Sequence, residues 1–150
     1  MASVLYSKVY FFSDGAEPNI KNRKKLRAFI IHIFKKEKIK LGAINFVFTT
    51  DQKLLKINKD YLSHDFLTDI ITFDLSESHN PIVAEVYISL ERVRENALKL
   101  GESISSEIHR VIFHGALHLC GYSDKTKIQS KKMRELENYY LSEYFNRCFT

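Results

Sequence analysis

The pattern of apolar and polar residues changes its period several times along the chain, and each change predicts a new element. Four segments are rich in β-branched and aromatic residues, which is typical of strands. They are residues 3–12, 43–50, 69–76 and 82–89. The last two are separated only by the segment ESHNP, which predicts a hairpin.

Elsewhere, apolar residues recur at every third or fourth position, which is the spacing of amphipathic helices. Helices are predicted from about residue 19 to a stop at Gly42, and then over 52–62, 90–100, 104–119 and about 125–146. The predicted N-caps are Asp51 and Ser89, and the predicted C-terminal stops are Gly101 and Gly121. This order of elements predicts an α+β fold in which residues 1–150 form a single domain, with a small mixed four-stranded sheet covered by about five helices.

The composition is that of an ordinary globular domain. The 150 residues are 45% hydrophobic and 27% charged, with 5 Gly and 2 Pro, which excludes disordered and fibrous proteins. No apolar run reaches the roughly 18 residues of a membrane span, and the N-terminus does not resemble a secretory signal. The 2 cysteines are too few for a disulfide framework. We therefore expect a cytoplasmic protein with no membrane partner.

The net charge of +5 is concentrated in residues 21–40, which hold nine Lys or Arg and one Glu. A basic helix face is compatible with an anionic partner such as RNA. It is also compatible with a solvated surface that serves solubility, and for such a run taken alone this second interpretation is favoured.

The segment HGALHLCGYSD, residues 114–124, carries the strongest chemical signal. His114 and His118 lie one helical turn apart on the same face, a spacing at which two imidazoles can bind one Zn²⁺. Gly121 allows a sharp turn after the second histidine, so that Asp124 can fold back as a third ligand. Three protein ligands leave one position open, as in catalytic zinc sites, where an activated water attacks a phosphorus or carbonyl centre.

The competing interpretation is that both histidines are ordinary helix residues satisfied by hydrogen bonds, since a bare HxxxH pattern is weak evidence. The glycine and the carboxylate in register favour the metal site. A metalloprotease is disfavoured, because zincin proteases place a glutamate base directly after the first histidine, and this chain has Gly115 there. The sequence identifies no general base.

Residues 114–122, HGALHLCGY, closely resemble the signature of the YbeY family, bacterial metal-dependent endoribonucleases that mature ribosomal RNA. The segments NKDY at 58–61, TDIITF at 68–73 and AEVYIS at 84–89 are similar to further family motifs, so the resemblance covers essentially the whole chain. It implies a metal-dependent hydrolase whose partner is ribosomal RNA or a ribosomal subunit. The expected cofactor is one Zn²⁺ per chain, with Mn²⁺ or another divalent ion as the alternative.

Two positions depart from the family pattern. Where the family usually has a third histidine this chain has Asp124, so a site formed by His114, His118 and Asp124 is expected. Where the family usually has an arginine facing the RNA phosphate this chain has Leu62, which cannot make a bidentate phosphate contact. Lys59 or His64 are the nearby candidates to replace that arginine.

Two carboxylates outside the motif receive two interpretations each. Asp69 is either a group that orients a ligating histidine or a cap beside Thr68. Glu85 is either such an orienting group or an exposed strand residue.

The remaining candidates are expected to have structural roles. His109 is expected at the surface or in packing, and Cys120 is expected to be a packed thiol rather than a fourth ligand. Neither His32 nor His79 has a partner in the sequence. Core or helix packing, rather than base stacking, is expected for Tyr139, Tyr140, Tyr144 and Phe145.

Three functions are compatible with these patterns. The leading hypothesis, implied by the resemblance, is a single-strand-specific endoribonuclease in ribosomal RNA maturation and ribosome biogenesis, with part of its RNA surface on residues 21–40. The second is a ribosome-assembly or RNA-binding factor with a structural metal, which Leu62 favours. The third is a metal-dependent hydrolase of another substrate.

Overall fold

The order of helices and strands in the structure is the order that the sequence predicts. The computed structural model describes residues 7–63, 68–78 and 80–146. The elements are β1 Lys8–Ser13, α1 Arg23–Lys36, β2 Leu41–Thr49, α2 Asp51–Leu62, β3 Ile70–Asp74, β4 Ile82–Ser89, α3 Leu90–Leu100, α4 Ile104–Leu119 and α5 Lys127–Asn146. The predicted α+β class, with a four-stranded sheet and five helices in the described residues, is confirmed.

The sheet is mixed, with the strand order β1-β2-β4-β3. The first three strands in that order are parallel to one another, and α1 provides the crossover between β1 and β2. The predicted hairpin is also present, because β3 runs antiparallel to β4 and pairs Ile71 with Tyr87. One face of β4 is formed by the buried side chains of Ala84, Val86 and Ile88, while Glu85 and Tyr87 point to the other face.

The core lies between the first of these two faces and the helices α1, α3, α4 and α5. Its largest buried side chains include Phe29, Phe46, Phe48, Phe113 and Tyr140, contributed by α1, β2, α4 and α5. Helix α4 is the most buried helix, since apolar side chains cover most of its circumference. Across the described ranges, no helix is both long enough and apolar enough to cross a membrane.

The predicted boundaries of α1 were wrong at both ends. The helix begins at Arg23 rather than near residue 19, because the Asn22 side chain caps it by accepting from the Lys25 N–H at 3.0 Å. It ends at Lys36 rather than at Gly42, because Lys38 adopts a positive φ of 61° and turns the chain. Gly42 lies inside β2, where an added Cβ would approach the Ile82 carbonyl oxygen to 3.1 Å.

The cap of α2 was also predicted one residue late. Thr50 is the N-cap, and Asp51 is the first helical residue. The carboxylate of Asp51 instead accepts hydrogen bonds from the Ser89 hydroxyl at 2.7 Å and from Arg92. Ser89 caps α3 and Gly101 ends it in the left-handed region, both as predicted. Strand β3 is shorter than predicted, and β1 begins at Lys8, with residues 3–6 outside the described ranges.

Candidate metal centre

Both histidines of the motif lie on the half-exposed side of α4, with ring centroids 4.5 Å apart. Between them, Gly115 faces the sheet, and an added Cβ there would meet Ile70 Cδ1 at 3.0 Å and Val86 Cγ1 at 3.1 Å. A glycine therefore lets this turn of the helix approach the strands closely. The result is that the two imidazoles are presented at the edge of the core, next to β3.

The chain returns to the histidines immediately after α4. Cys120 closes the helix, and Gly121 adopts a positive φ of 104°, as its predicted role as a stop requires. This turn brings Asp124 back, with Oδ2 3.4 Å from His114 Nε2 and Oδ1 3.6 Å from His118 Nε2. The donor atoms of the three predicted ligands all lie within 4.8 Å of one another. The structure thus brings together the group that the sequence proposed.

The arrangement of the ring nitrogens fits a metal ion. His114 Nδ1 lies 2.7 Å from Glu137 Oε2, and His118 Nδ1 lies 2.8 Å from the carbonyl oxygen of Tyr122. Both partners are acceptors, so in the neutral rings Nδ1 donates and Nε2 offers its lone pair toward Asp124. Ligand atoms 2.0–2.1 Å from a tetrahedral ion lie roughly 3.3 Å apart, which is close to the distances observed here.

Glu137 on α5 is the central support of this arrangement, and sequence reasoning missed it. Besides His114 it contacts Arg110, whose Nη1 donates to Glu137 Oε1 at 3.1 Å, and Arg134 lies 3.5 Å away. Its side chain is only 7% exposed. The signal that could have revealed it is a carboxylate within the apolar stripe of α5, at helical spacing from Met133 and Tyr140.

The two histidines have pKa values shifted in opposite directions. Burial acts to lower the pKa of His114, but the hydrogen bond and charge of Glu137, with Asp124 and Asp69, outweigh it and raise the pKa. Burial and the neighbouring His114 lower the pKa of His118. Burial likewise opposes ionisation of Glu137, but His114 and Arg110 outweigh it, and the pKa of that carboxyl is lowered. The His114–Glu137 contact is therefore a charge-assisted pair in the metal-free protein.

A cleft of about 250 Å³ opens beside His114. Asp69, Arg110, Asp124 and Glu137 are among the residues that line it. Asp69 lies beside His114, but Glu137 and the Tyr122 carbonyl bind the Nδ1 atoms of the two histidines, so a role of Asp69 in orienting a ligating histidine stays a prediction. Its carboxylate accepts from the Asn96 amide at 3.3 Å, and burial raises its pKa.

A family model and several curated relatives match most of this chain. The model of a family described as Endoribonuclease YbeY matches residues 13–145. The chain belongs to the YbeY family. It is 40% identical to the endoribonuclease YbeY of Cytophaga hutchinsonii over 134 residues, which is 89% of this chain and 94% of that protein. It is also 40% identical to the endoribonuclease YbeY of Parabacteroides distasonis, over 93% of this chain and 96% of that one.

The fold is shared with a solved structure as well. The solution structure of a Thermotoga maritima protein superposes with a TM-score of 0.60 and 26% sequence identity. The superposition covers 91% of this chain and 89% of that one. Together with the family match, this confirms the YbeY resemblance and the fold that it implied.

The position at which the YbeY family usually carries an arginine lies in a second groove. Leu62 and His118 both line this groove of about 440 Å³, together with Asn58 and residues of β3. The groove therefore continues the site on the side of His118, with an apolar side chain where the family arginine is expected. Lys59 lies on the last turn of α2, and His64 lies outside the described residues.

The other sequence candidates do not join the metal group. Glu85 lies on the opposite face of the sheet, where it accepts from the Tyr87 hydroxyl at 3.3 Å, so it does not orient either histidine. His109 is buried and packs against Tyr144 with ring centroids 4.9 Å apart, which confirms a packing role. The Cys120 thiol is half-buried, and burial raises its pKa to about 12, which is unfavourable for a ligand.

The remaining aromatic and histidine predictions have mixed outcomes. Tyr140 and Tyr144 are buried in the core as expected, while Tyr139 and Phe145 remain exposed. The ring of His32 lies against Phe29, with centroids 5.7 Å apart. His79 lies outside the described residues.

Proposed function

We propose that this chain is a metal-dependent, single-strand-specific endoribonuclease that acts in ribosomal RNA maturation and ribosome biogenesis in the cytoplasm. The observation that carries the proposal is the convergence of His114 Nε2, His118 Nε2 and the Asp124 carboxylate in a chain of the YbeY family. Its relatives are named endoribonucleases.

The proposed cofactor is one divalent ion, Zn²⁺ or a harder ion such as Mn²⁺. Two imidazoles and one carboxylate suit both, because the carboxylate is harder than the third histidine that it replaces. Such an ion supplies Lewis-acid activation of water and of a phosphoryl oxygen. In support, Glu137 and the Tyr122 carbonyl hold the protons of both rings on Nδ1, so that each Nε2 faces Asp124.

RNA would reach the ligands through the two cavities that flank them. The cleft beside His114 contains Arg110, whose guanidinium group is a donor that suits phosphate oxygens. Its partner Glu137 also accepts a hydrogen bond from His114 and therefore depends less on Arg110. We propose that residues 21–40 supply further phosphate contacts, since most of their lysines and arginines are exposed. Binding of RNA should then weaken as the salt concentration rises.

The test is the metal content of the purified protein, measured by mass spectrometry after dialysis and paired with cleavage of single-stranded and duplex RNA. We expect about one ion per chain and cleavage of the single strand only. Asp124→Ala should lose both the ion and the cleavage. Glu135→Ala, which removes an exposed carboxylate from α5, should keep both. Wild-type protein that binds no ion after reconstitution with Zn²⁺ or Mn²⁺ would contradict the proposal.

A second candidate is a ribosome-assembly or RNA-binding factor in which the ion is structural. The observation that favours it is Leu62, because an apolar side chain in the groove beside His118 offers no contact to a phosphate. This candidate predicts a tightly bound ion and salt-sensitive RNA binding without ion-dependent cleavage. Leu62→Arg would then be the informative variant, since restored phosphate contact should raise cleavage only in an enzyme.

A further inference from the structure

A groove lies at the N-terminal end of α4, away from the metal ligands. It consists of two adjoining cavities of about 430 and 200 Å³, whose linings share Lys21, Ser105 and Phe145. We name the two cavities together the α4 groove. Ser105 precedes His114 by nine residues, which is about 13 Å along the helix axis. Among the described residues, its lining shares no member with the cavities that flank the metal ligands.

The walls of the larger cavity are largely apolar. Leu90 and Ile108 are buried, while Ile104 and Phe145 are 52% and 48% exposed. Buried apolar groups bordered by exposed ones are typical of a surface that binds an apolar side chain. Phe145 is the one ring among the described residues of this lining, and aliphatic groups offer no flat face on which an RNA base stacks. The cavity therefore suits a protein side chain better than a nucleotide.

The charged residues of the lining are all cations. Lys21 and Arg94 are exposed and line the larger cavity. Lys25 lines the smaller one, where its Nζ lies 4.3 Å from the centroid of the Tyr144 ring. No aspartate or glutamate occurs in either lining, within the part of the chain that the structure describes. The α4 groove thus combines apolar walls with a positive charge that attracts carboxylates.

We propose that the α4 groove binds an acidic segment of a protein partner, in which an apolar side chain is flanked by carboxylates. The apolar side chain would lie against Leu90 and Ile108, and the carboxylates would pair with Lys21 and Arg94. The other cations of residues 21–40 stay available to RNA. A partner bound in the α4 groove leaves the metal centre open.

The test is an NMR titration of the full chain with short peptides, observing the methyl groups of Ile104 and Ile108 and the ring of Phe145. In the acidic probe, glutamates alternate with leucine and phenylalanine. One matched probe has glutamine in place of glutamate, a second has alanine in place of the apolar residues, and oligouridylate tests RNA. We expect the acidic probe to bind roughly 2- to 30-fold tighter than the glutamine match, as two exposed ion pairs allow. High salt should remove this preference.

Two variants and a matched control locate the interaction. Arg94→Glu places a carboxylate in the lining and should abolish the preference for the acidic probe. Phe145→Ala removes a half-exposed ring and should weaken binding of the acidic probe and of its glutamine match. Lys99→Gln removes an exposed cation on the same helix as Arg94 but outside the lining, and should change nothing.

Several results would overturn the proposal. Equal binding of the glutamine match would show a merely apolar groove, and equal binding of the alanine match would show charge attraction alone. Binding of oligouridylate at these side chains without binding of the acidic probe would assign the groove to RNA. Because Arg94→Glu and Phe145→Ala should keep the ion content and the RNA cleavage of the wild type, failure of this proposal is distinguishable from failure of the proposed nuclease.

Discussion

His114 and His118 lie one turn apart on the same helix, yet the chain holds them in different ways. The Nδ1 atom of His114 is held by Glu137, a side chain 23 residues later on another helix. The Nδ1 atom of His118 is held by the Tyr122 carbonyl, only four residues later. One half of the site therefore depends on the packing of α5 against α4, and the other on the local turn at Gly121.

The two halves also differ in charge. On the side of His114, the side chains of Glu137 and Arg110 are 7% and 13% exposed and form a connected ion-pair network with the ring. On the side of His118, the ring is more exposed and its Nδ1 partner is neutral. The comparison suggests that α5 sets the protonation and orientation of one ligand, while the turn sets the position of the other ligand and of Asp124.

The largest expected effect comes from removing Glu137, which contacts His114 from another helix. Glu137→Ala would remove the nearer of the two carboxylates that Arg110 contacts, the other being Glu107 at 3.8 Å, and should destabilise the protein by about 3–5 kcal/mol. It should also weaken metal binding about 10- to 100-fold, because His114 loses the group that orients it. Urea unfolding of the metal-free protein and a metal titration measure the two effects. Glu135→Ala is the control, and equal behaviour of the two variants would refute the distinction between the halves.

This contrast explains how far the sequence could predict the site. His114, His118, Gly121 and Asp124 are close in the chain, so helical spacing and one glycine turn sufficed to group them. Glu137 belongs to another helix, and its role depends on how α5 packs, which spacing within one element cannot reveal. Its position within the apolar stripe of α5 was the one local sign.

The same limit applies to the fold, where patterns within one element could be predicted and contacts between elements could not. The periodicity of apolar residues predicted the type and order of the elements, because each face buries its own stripe. The prediction of helix ends failed where a residue that is uncommon at such a position ends the helix. Lys38 takes the positive φ that usually marks a glycine, so α1 ends well before Gly42. At α2, Thr50 and Asp51 can both act as caps, and the contacts of Asp51 with Ser89 and Arg92 decide between them.

A second variant tests helix α4, which carries both histidines. Gly115→Ala places a methyl group 3.0 Å from Ile70 Cδ1 and 3.1 Å from Val86 Cγ1, so that α4 or the strands must move. Overpacking of this kind should cost about 1–3 kcal/mol of stability, which thermal unfolding would measure. Gly101→Ala is not a suitable control, because Gly101 has a positive φ. Ser106→Ala on the same helix is better, and equal stability of the two variants would show that α4 tolerates the methyl group.

A smaller effect is expected on the side of His118. Tyr122→Phe removes the hydroxyl that donates to Glu37 at 2.6 Å but keeps the backbone carbonyl that holds the histidine. The loss of stability should be only about 0.5–1.5 kcal/mol, because Tyr140 still donates to Glu37. The metal affinity should be nearly unchanged, because the carbonyl that binds His118 Nδ1 is retained. Calorimetric metal titration and urea unfolding would separate the two quantities. A tenfold loss of affinity would mean that the Tyr122 side chain, and not the local turn, positions His118.

The smallest expected effect is the change in the free energy of unfolding of the metal-free protein with pH, because the contributions of His114 and His118 have opposite signs. The pKa of His114 is raised, so its contribution to stability is complete below the unfolded value near 6.5 and is lost as the pH rises through the folded pKa. The pKa of His118 is lowered, so its contribution is present above that value and is lost as the pH falls through the folded pKa. His109, which also has a lowered pKa, contributes equally to wild type and variant and cancels from their difference.

Glu137→Gln should give the contributions of His114 and His118 to the pH dependence of stability the same sign. Without the carboxylate, burial dominates at His114 and its pKa should fall below its ordinary value, as at His118. The free energy of unfolding of the variant should then decrease more than that of the wild type between pH 7.5 and 5.5, measured with urea in the presence of a chelator. NMR titration of the imidazole carbons would assign the change to His114. An identical pH dependence in the two proteins would mean that Glu137 orients the ring without controlling its proton, and that the two halves differ in geometry alone.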